Sequence, residues 1–201
     1  MISPIGFYGI ISDPAVGWGP MADCMVALGV RWIQLRMKGG SRADRRRIAV
    51  DLRARIPAGF HYIVNDDPQL ALEVGADGVH LGQGDGSLER ARSILGPHAI
   101  IGLSTHTSEQ VRACCALRPT YIGMGPVFST ATKLDADPTI GVAGLKELVA
   151  VATVPAVAIG GIDLRRAVSV MGSGVQGLCA VGPVNISEDP GSVIAAFQRL
   201  L

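Results

Sequence analysis

The chain has 201 residues, which is enough for one domain with a substantial core. Apolar residues make up 48% of it and charged residues 17%, so the composition is typical of a globular protein and not of a disordered one. The net charge of +1 argues against a nucleic-acid-binding protein or a polybasic membrane-binding segment, and no apolar run approaches the roughly 20 residues that cross a bilayer.

The four cysteines indicate neither a disulfide framework nor a zinc site. No CxxC pair or His/Cys cluster has metal-ligand spacing, and Cys114 and Cys115 are adjacent. The N-terminal segment MISPIGFYGIISD lacks the basic head and long apolar run of a signal peptide. The sequence therefore predicts a reducing compartment, the cytoplasm.

Short apolar segments alternate with helical segments along the chain. The predicted strands cover residues 7–12, 31–35, 62–64, 78–81, 99–103, 120–124, 156–159 and 177–181. The predicted helices cover residues 21–28, 42–56, 68–74, 88–95, 108–117, 142–152, 164–171 and 191–201, with 17–20 as a loop. The helix-to-strand segments LGVRWIQL, VGADGVHL and GSGVQGLCAV resemble one another, as expected of a repeating unit.

Strict alternation of strand and helix predicts a parallel sheet. Eight such units predict a closed (β/α)8 TIM barrel, formed by residues 1–201 as a single domain. The alternative is a doubly wound open sheet. The chain has no G-x-G-x-x-G after its first strand and no Walker A motif, which favours the barrel.

Polar residues concentrate in the loops that follow the predicted strands, where a barrel of this type has its active face. Asp66 and Asp85 follow adjacent strands, and two carboxylates at one sheet edge are suitable ligands for Mg²⁺. Alternatively, Asp66 or Asp67 caps the helix that Pro68 begins, and Asp85 lies in a solvated turn. Ser41 is the predicted N-cap of another helix.

Three cations, Arg36, Lys38 and Lys133, also follow strands. Cations beside a carboxylate-held Mg²⁺ suit a pyrophosphate, because arginine binds its oxygens in a fork and the metal bridges them. Taken singly, Arg36 or Lys38 is more typical of solvated charge on the barrel rim.

Glycines follow the last two predicted strands. Gly160, Gly161 and Gly182 stand where this fold usually binds phosphate through backbone N–H groups. Ordinary tight turns would explain the same residues equally well.

Three polar residues lie within or directly after apolar strands. Gln34 alternates with Ile33 and Leu35, so we expect its side chain inside the barrel, where a buried amide needs a partner. His80 is interpreted as a hydrogen-bonded interior residue and not as a ligand. His106 is either a base near the substrate or a loop residue near a helix start.

Six motifs occur in order, each at the end of a predicted strand: QLRMK, VNDD, ADGVHLGQGD, GLSTHT, GPVFSTATK and AIGGI. Through them nearly the whole chain resembles the thiamin-phosphate synthase family, which is related to the thiazole tautomerase. The resemblance implies an enzyme that joins a hydroxymethylpyrimidine pyrophosphate to a thiazole phosphate with Mg²⁺ as cofactor. It implies a dissociative reaction in which pyrophosphate leaves first.

The resemblance also implies roles for individual residues. The pyrimidine pyrophosphate would be bound by Gln34, Leu35, Arg36, Met37, Lys38, Asn65, Ser104 and Lys133. The catalytic cations would be Lys133, Arg36 and Lys38, and Asp66 and Asp85 would hold Mg²⁺. The thiazole phosphate would be bound by Thr130, Ala131, Thr132, Gly161, Val181 and Gly182.

Two departures from the family pattern stand out. Met37 replaces the glutamate expected in QLREK, and Val181-Gly182-Pro183 replaces a run that usually contains Ser and Ala. The missing serine hydroxyl supports one alternative, a non-catalytic barrel that binds thiamin or phosphate. A tautomerase-like enzyme, which would use His106 as acid or base, is the other alternative. The expected partners are small molecules, with no nucleic acid and no membrane, and the sequence leaves a homo-oligomer open.

Overall fold

The computed structural model describes residues 5–130, 132 and 137–201. Eight parallel strands form a closed barrel in chain order: β1 (Gly6–Ile11), β2 (Trp32–Leu35), β3 (His61–Asn65), β4 (Gly78–Leu81), β5 (Ile100–Thr105), β6 (Tyr121–Met124), β7 (Ala156–Ala158) and β8 (Gly177–Leu178). The helices are α1 (Trp18–Ala27), α2 (Arg42–Arg55), α3 (Pro68–Val74), α4 (Leu88–Leu95), α5 (Ser108–Ala116), α6 (Gly141–Val151), α7 (Leu164–Met171), α8 (Val181–Asn185) and α9 (Pro190–Gln198). The predicted (β/α)8 barrel is confirmed.

Two predicted helix caps are confirmed, and for one of them the structure decides between Asp66 and Asp67. Ser41 caps α2 in a capping box with Asp44. Asp67 caps α3 by accepting a hydrogen bond from the Leu70 amide at 2.9 Å. Because Asp67 is the cap, the carboxylate of Asp66 remains available for other contacts.

The predictions were wrong in two places where glycine precedes proline. Helix α1 begins at Trp18, so Pro20 lies in its first turn and not in a loop. Strand β8 ends at Leu178, and Pro183 lies in the first turn of the short helix α8, which was not predicted. In both cases proline is tolerated because the first-turn N–H groups have no partner within the helix.

The core has two layers. The larger layer lies between the barrel and its helices and contains residues such as Leu35, Ile48 and Leu52. The smaller layer fills the barrel interior with the rings of Tyr8, Trp32 and Tyr121, all nearly fully buried. A methyl group cannot be added beside these rings without rearrangement. An ideal Cβ at Gly102, for example, would lie 2.2 Å from Cζ of Tyr121.

All four cysteines are free thiols, as expected from their spacing. None of the helices in the described part of the chain combines the length and the apolar character needed to cross a membrane.

Candidate active site

A cavity of about 430 Å³ lies at the carboxyl ends of the strands. Of the residues implicated by sequence, its wall contains Gln34, Arg36, Lys38, Asn65, Asp66, Asp85, Ser104, His106, Thr130, Thr132 and Val181. These residues lie in or after six of the eight strands, β2 to β6 and β8, and span most of the chain. The barrel topology therefore brings most of the predicted site into one place.

On one side of the cavity, a lysine and two carboxylates form a tight group. Lys38 Nζ lies 2.5 Å from Oδ2 of Asp66, and Asp85 accepts a hydrogen bond from the Gly82 amide at 2.8 Å. Asp66 has a left-handed backbone, with φ of 66°, and its amide donates to the His80 carbonyl oxygen at 2.8 Å. This anchored turn after β3 directs the Asp66 carboxylate toward the group.

The two carboxyls perturb each other. Burial raises the pKa of Asp66, Lys38 opposes that rise, and the neighbouring Asp85 adds to it. For Asp85, partial burial acts upward, but hydrogen bonds from Asp66 and from the Gly82 amide bring its pKa below the usual value. The two carboxyls therefore lie close enough to hydrogen-bond to each other.

Arg36 is a partly buried cation that borders the same cavity. Its guanidinium makes no hydrogen bond or ion pair with the residues that the structure describes. It therefore faces the cavity with all five N–H donors available.

Below the cavity, five polar side chains form one continuous hydrogen-bonded chain. Gln34 Nε2 donates to the Tyr8 hydroxyl at 3.2 Å, and the hydroxyls of Tyr8 and Tyr121 lie 2.6 Å apart. The Tyr121 hydroxyl lies 2.9 Å from Nδ1 of His80, and Nε2 of His80 lies 2.9 Å from Oγ of Ser104. Gln34 is thus inside the barrel with a partner, and His80 is a hydrogen-bonded interior residue, as predicted.

His80 borders the cavity and is partly buried. Burial lowers the pKa of His80 to about 4, with Asp85 acting in the opposite direction. The ring is therefore neutral near pH 7, and one of its nitrogens accepts a hydrogen bond while the other donates one.

His106 lies at the edge of the cavity with oxygen acceptors on both sides of its ring. Its Nδ1 lies 2.5 Å from the Gly125 carbonyl oxygen, and its Nε2 lies 3.2 Å from Oδ2 of Asp137. Its backbone amide donates to Gln110 at 2.7 Å. These contacts tie the end of β5 to the loop between β6 and α6.

The opposite side of the cavity is built from glycines and hydroxyl groups. Gly160 and Gly161 have φ of 101° and 60°, and an ideal Cβ at Gly161 would lie 2.3 Å from the Ser129 carbonyl oxygen. The hydroxyls of Thr130 and Thr132 lie 2.9 Å apart. A Cβ at Gly182 would lie 3.8 Å from the Thr132 methyl carbon, so these loops meet beside the cavity.

Some sequence-implicated residues lie elsewhere. The side chains of Leu35 and Met37 pack in the outer core layer, because alternate residues of an extended segment face opposite sides. Gly161 and Gly182 adjoin the cavity without contributing to its wall. Ala131 and Lys133 lie outside the described residues.

Sequence reasoning missed three residues of this region: Tyr8, Tyr121 and Asp137. Tyr8 and Tyr121 alternate with outward-facing neighbours on β1 and β6, and this strand periodicity was the signal that could have placed them inside the barrel. Asp137 falls in a long irregular segment and had no local signal.

Comparison with known proteins gives a consistent result. The family model described as thiamine monophosphate synthase matches residues 20–184. A thiamine-phosphate synthase from Albidiferax ferrireducens is 36% identical over 204 residues, covering 100% of this chain and 93% of that protein. A thiamine biosynthesis multifunctional protein from Corynebacterium glutamicum is 37% identical over 95% of this chain, which spans 27% of that longer protein.

A solved structure is also similar over nearly its whole length. The thiamine phosphate pyrophosphorylase from Pyrococcus furiosus superposes with a TM-score of 0.86 at 31% sequence identity. The match covers 98% of this chain and 95% of that one.

Proposed function

The chain belongs to the thiamine monophosphate synthase family, and from that membership we propose that it joins a hydroxymethylpyrimidine pyrophosphate to a thiazole phosphate. The products are thiamine phosphate and pyrophosphate, which makes the protein a transferase. The observation that carries the proposal is the pairing of cations with carboxylates at one side of the cavity, formed by Arg36, Lys38, Asp66 and Asp85. Such a group suits a substrate with a pyrophosphate.

The first chemical requirement is to stabilise the leaving pyrophosphate. As the bond between the methylene carbon and the pyrophosphate oxygen breaks, both bonding electrons go to that oxygen. Arg36 and Lys38 would neutralise the added charge, with Lys133 as a third cation. Lys38 would then exchange its contact with Asp66 for one with the pyrophosphate.

Asp66 and Asp85 fit the Mg²⁺ ion that the family resemblance implies. Both are hard oxygen ligands, and their mutual perturbation of pKa indicates a site that a cation would stabilise. Mg²⁺ is usually held by one or two carboxylates together with substrate phosphates and water, so two protein ligands are sufficient. When bound there, the ion would supply positive charge beside the pyrophosphate oxygens.

The remaining steps need shielding and proximity more than acid–base catalysis. After pyrophosphate leaves, the aminopyrimidine carries a methylene cation, and the thiazole nitrogen attacks it to form the new C–N bond. Ile10, Val157 and Ile159 form an apolar part of the cavity wall. They would keep water from the cation while the two rings are held together.

The thiazole phosphate would bind at the opposite side of the cavity. The meeting of Thr132 with Gly182, beside Gly160 and Gly161, supports this assignment. Hydroxyl and backbone N–H groups hold a phosphate there without charged side chains. Gly182 retains its N–H, but Pro183 has none, so this corner offers fewer donors than the usual serine-containing sequence.

The tautomerase alternative receives less support. Such an enzyme would use His106 to move a proton on its substrate, whereas both ring nitrogens of His106 face protein oxygen atoms. The charged group around Asp66 also has no purpose in a reaction without pyrophosphate.

One assay tests the proposal directly. The purified protein is mixed with both substrates, with Mg²⁺ or with EDTA, and thiamine phosphate and pyrophosphate are quantified. We expect equal amounts of both products with Mg²⁺ and none with EDTA. Folded protein that yields no product with Mg²⁺ would contradict the proposed activity, and equal rates in both tubes would remove the metal assignment. We also expect the protein to be found in the cytoplasm.

A further inference from the structure

The hydrogen-bonded chain below the cavity joins five strands. It runs from Gln34 on β2 through Tyr8 on β1, Tyr121 on β6 and His80 on β4 to Ser104 on β5. Each of its four links joins two side chains at a distance between 2.6 and 3.2 Å. Because the chain is largely buried, each proton in it needs an acceptor within the chain or in the cavity.

The amide at one end favours one direction for the links, the one in which each hydroxyl proton stays within the chain. Gln34 donates to the Tyr8 oxygen through Nε2, which can only donate. The Tyr8 hydroxyl proton then has one acceptor among the described residues, the Tyr121 oxygen. The Tyr121 proton in turn goes to Nδ1 of His80. In this direction His80 carries its own proton on Nε2 and donates it to Ser104.

We propose that this directional chain fixes His80 in the Nε2–H tautomer and makes Ser104 a hydrogen-bond donor to the pyrophosphate of the pyrimidine substrate. Since Oγ of Ser104 accepts from His80, its hydroxyl proton is left for the cavity. His80 is a positioning residue, because it acts on the substrate only through Ser104. The identity of the ligand rests on the proposed function, whereas the tautomer does not.

The chemistry of the substrate selects the pyrophosphate as the acceptor. Pyrophosphate gains negative charge as it leaves, so a donor stabilises it more in the transition state than in the ground state. A hydrogen bond to a ring nitrogen would draw electron density from the pyrimidine, which must stabilise a methylene cation. The exocyclic amine is not a suitable acceptor either, because its N–H groups would repel the hydroxyl proton of Ser104.

The position of Ser104 supports the same choice. Gln83 donates a hydrogen bond to the Ser104 carbonyl oxygen. Gln83 belongs to the turn after β4 that also carries Asp85, so this bond ties Ser104 to the carboxylate side of the cavity.

The tautomer can be measured in the resting protein. Long-range proton–nitrogen NMR spectra of ¹⁵N-histidine-labelled protein distinguish the two tautomers, and His80→Gln identifies the His80 signals among the four histidines. We expect the Nε2–H form in the unmodified protein. Tyr121→Phe removes the proton donated to Nδ1 and should give a mixture of tautomers. An Nδ1–H form in the unmodified protein would overturn the proposal, and this result needs no folded variant of Tyr121.

Tyr62→Phe is the matched control. The Tyr62 hydroxyl is also buried, but it donates to the Ala49 carbonyl oxygen in the outer layer at 3.2 Å. Its loss should leave the His80 tautomer unchanged. If Tyr62→Phe changes the tautomer as much as Tyr121→Phe does, the tautomer reports a general loss of core packing. That result would contradict the proposal that the hydrogen-bonded chain fixes it.

Calorimetric titration with inorganic pyrophosphate and Mg²⁺ tests the role of Ser104. Ser104→Ala should weaken binding about tenfold, as expected for the loss of a hydrogen bond to a charged group, and Tyr121→Phe should weaken it by a smaller factor. Titration with the thiazole phosphate should show no change in either variant. Unchanged pyrophosphate affinity in Ser104→Ala would overturn the assignment of the acceptor. If the protein has the predicted tautomer but no synthase activity, the proposed function is contradicted and the tautomer assignment stands.

Discussion

Two halves of the cavity rim are built from different chemical groups. The charged half follows β2 to β4 and consists of Arg36, Lys38, Asp66 and Asp85. The glycine half follows β6 to β8 and consists of Thr130, Thr132, Gly160, Gly161 and Gly182. Side-chain charge dominates the first half, and backbone conformation dominates the second.

The difference matches what each half would do to its ligand. The charged half would face a pyrophosphate that gains charge during the reaction, so its contacts would strengthen in the transition state and raise kcat. The glycine half would face a phosphate that does not react, so its contacts would bind ground state and transition state alike and lower KM. Substitutions in the two halves should therefore separate into kcat and KM effects.

The largest effect is expected from Asp66→Asn. Asparagine tolerates the left-handed backbone of this position, so the fold should persist while the proposed metal ligand loses its charge. We expect kcat to fall by roughly a hundredfold or more, because the ion supplies several kcal/mol of charge stabilisation. Steady-state kinetics with Mg²⁺ measures this.

Asp67→Asn is the control for this variant. Asn is as good an N-cap as Asp, and Asp67 caps α3 without lining the cavity. Its activity should stay close to that of the unmodified protein. Equal losses in the two variants would mean that negative charge near α3, and not a ligand at Asp66, is what matters.

Gly161→Ala tests the glycine half. Its positive φ and the close Ser129 carbonyl oxygen leave no room for a methyl group, so the loop must shift. We expect a rise of about thirtyfold in KM for the thiazole phosphate, which corresponds to roughly 2 kcal/mol, with a smaller change in kcat. Gly172→Ala, at a helix end with φ of −64°, is the control that should retain normal kinetics. A pure kcat effect of Gly161→Ala would break the distinction between the two halves.

Acid should destabilise the interior below the charged half. The native pKa of His80 is about 4, lowered by burial from 6.5, so as the pH falls below about 6.5 the unfolded chain binds a proton that the native state does not. Stability is present above pH 6.5 and is lost progressively down to about pH 4. Because the ring borders the open cavity, we expect a contribution of roughly 2 kcal/mol.

Urea unfolding at pH 7 and pH 4.5, compared between the protein and His80→Gln, isolates this contribution from that of other titrating groups. The variant should lose less stability on acidification. Identical pH dependence in the two proteins would show that His80 does not titrate as its burial requires.

The smallest effect is expected from Gly182→Ser. A Cβ fits here, since its nearest neighbour would be the Thr132 methyl carbon at 3.8 Å. The added hydroxyl would be a further hydrogen-bond donor for the proposed phosphate. We expect KM for the thiazole phosphate to fall by up to about tenfold with kcat unchanged. A higher KM would show that this corner binds its ligand in another way.

The sequence predicted features that depend on local periodicity. Strand alternation placed Gln34 inside the barrel, and the common edge of parallel strands brought Asp66 near Asp85. It could not choose between Asp66 and Asp67 as the helix cap, because both are short carboxylates before Pro68. Only the backbone angles and the contacts of the turn separate them.

The missed features depend on distant contacts or on very short elements. Tyr8 and Tyr121 are 113 residues apart and meet only when the barrel closes, so neither carries a local sign of its partner. Helix α8 has five residues, too few for a helical periodicity, and its Gly-Pro pair was interpreted as a strand end.

The space left by Gly102 has a consequence for how this sequence can change over generations. Alanine at this position is incompatible with the Tyr121 ring, and the ring fills the volume that the missing side chain leaves. A larger residue at Gly102 therefore requires a smaller residue at Tyr121, and it also requires His80 to move, because Nδ1 of His80 would lie 2.5 Å from the new Cβ. Replacing Tyr121 also breaks its link to His80. The path between the two arrangements would pass through an intermediate with a cavity, and the effects of the substitutions should be strongly non-additive.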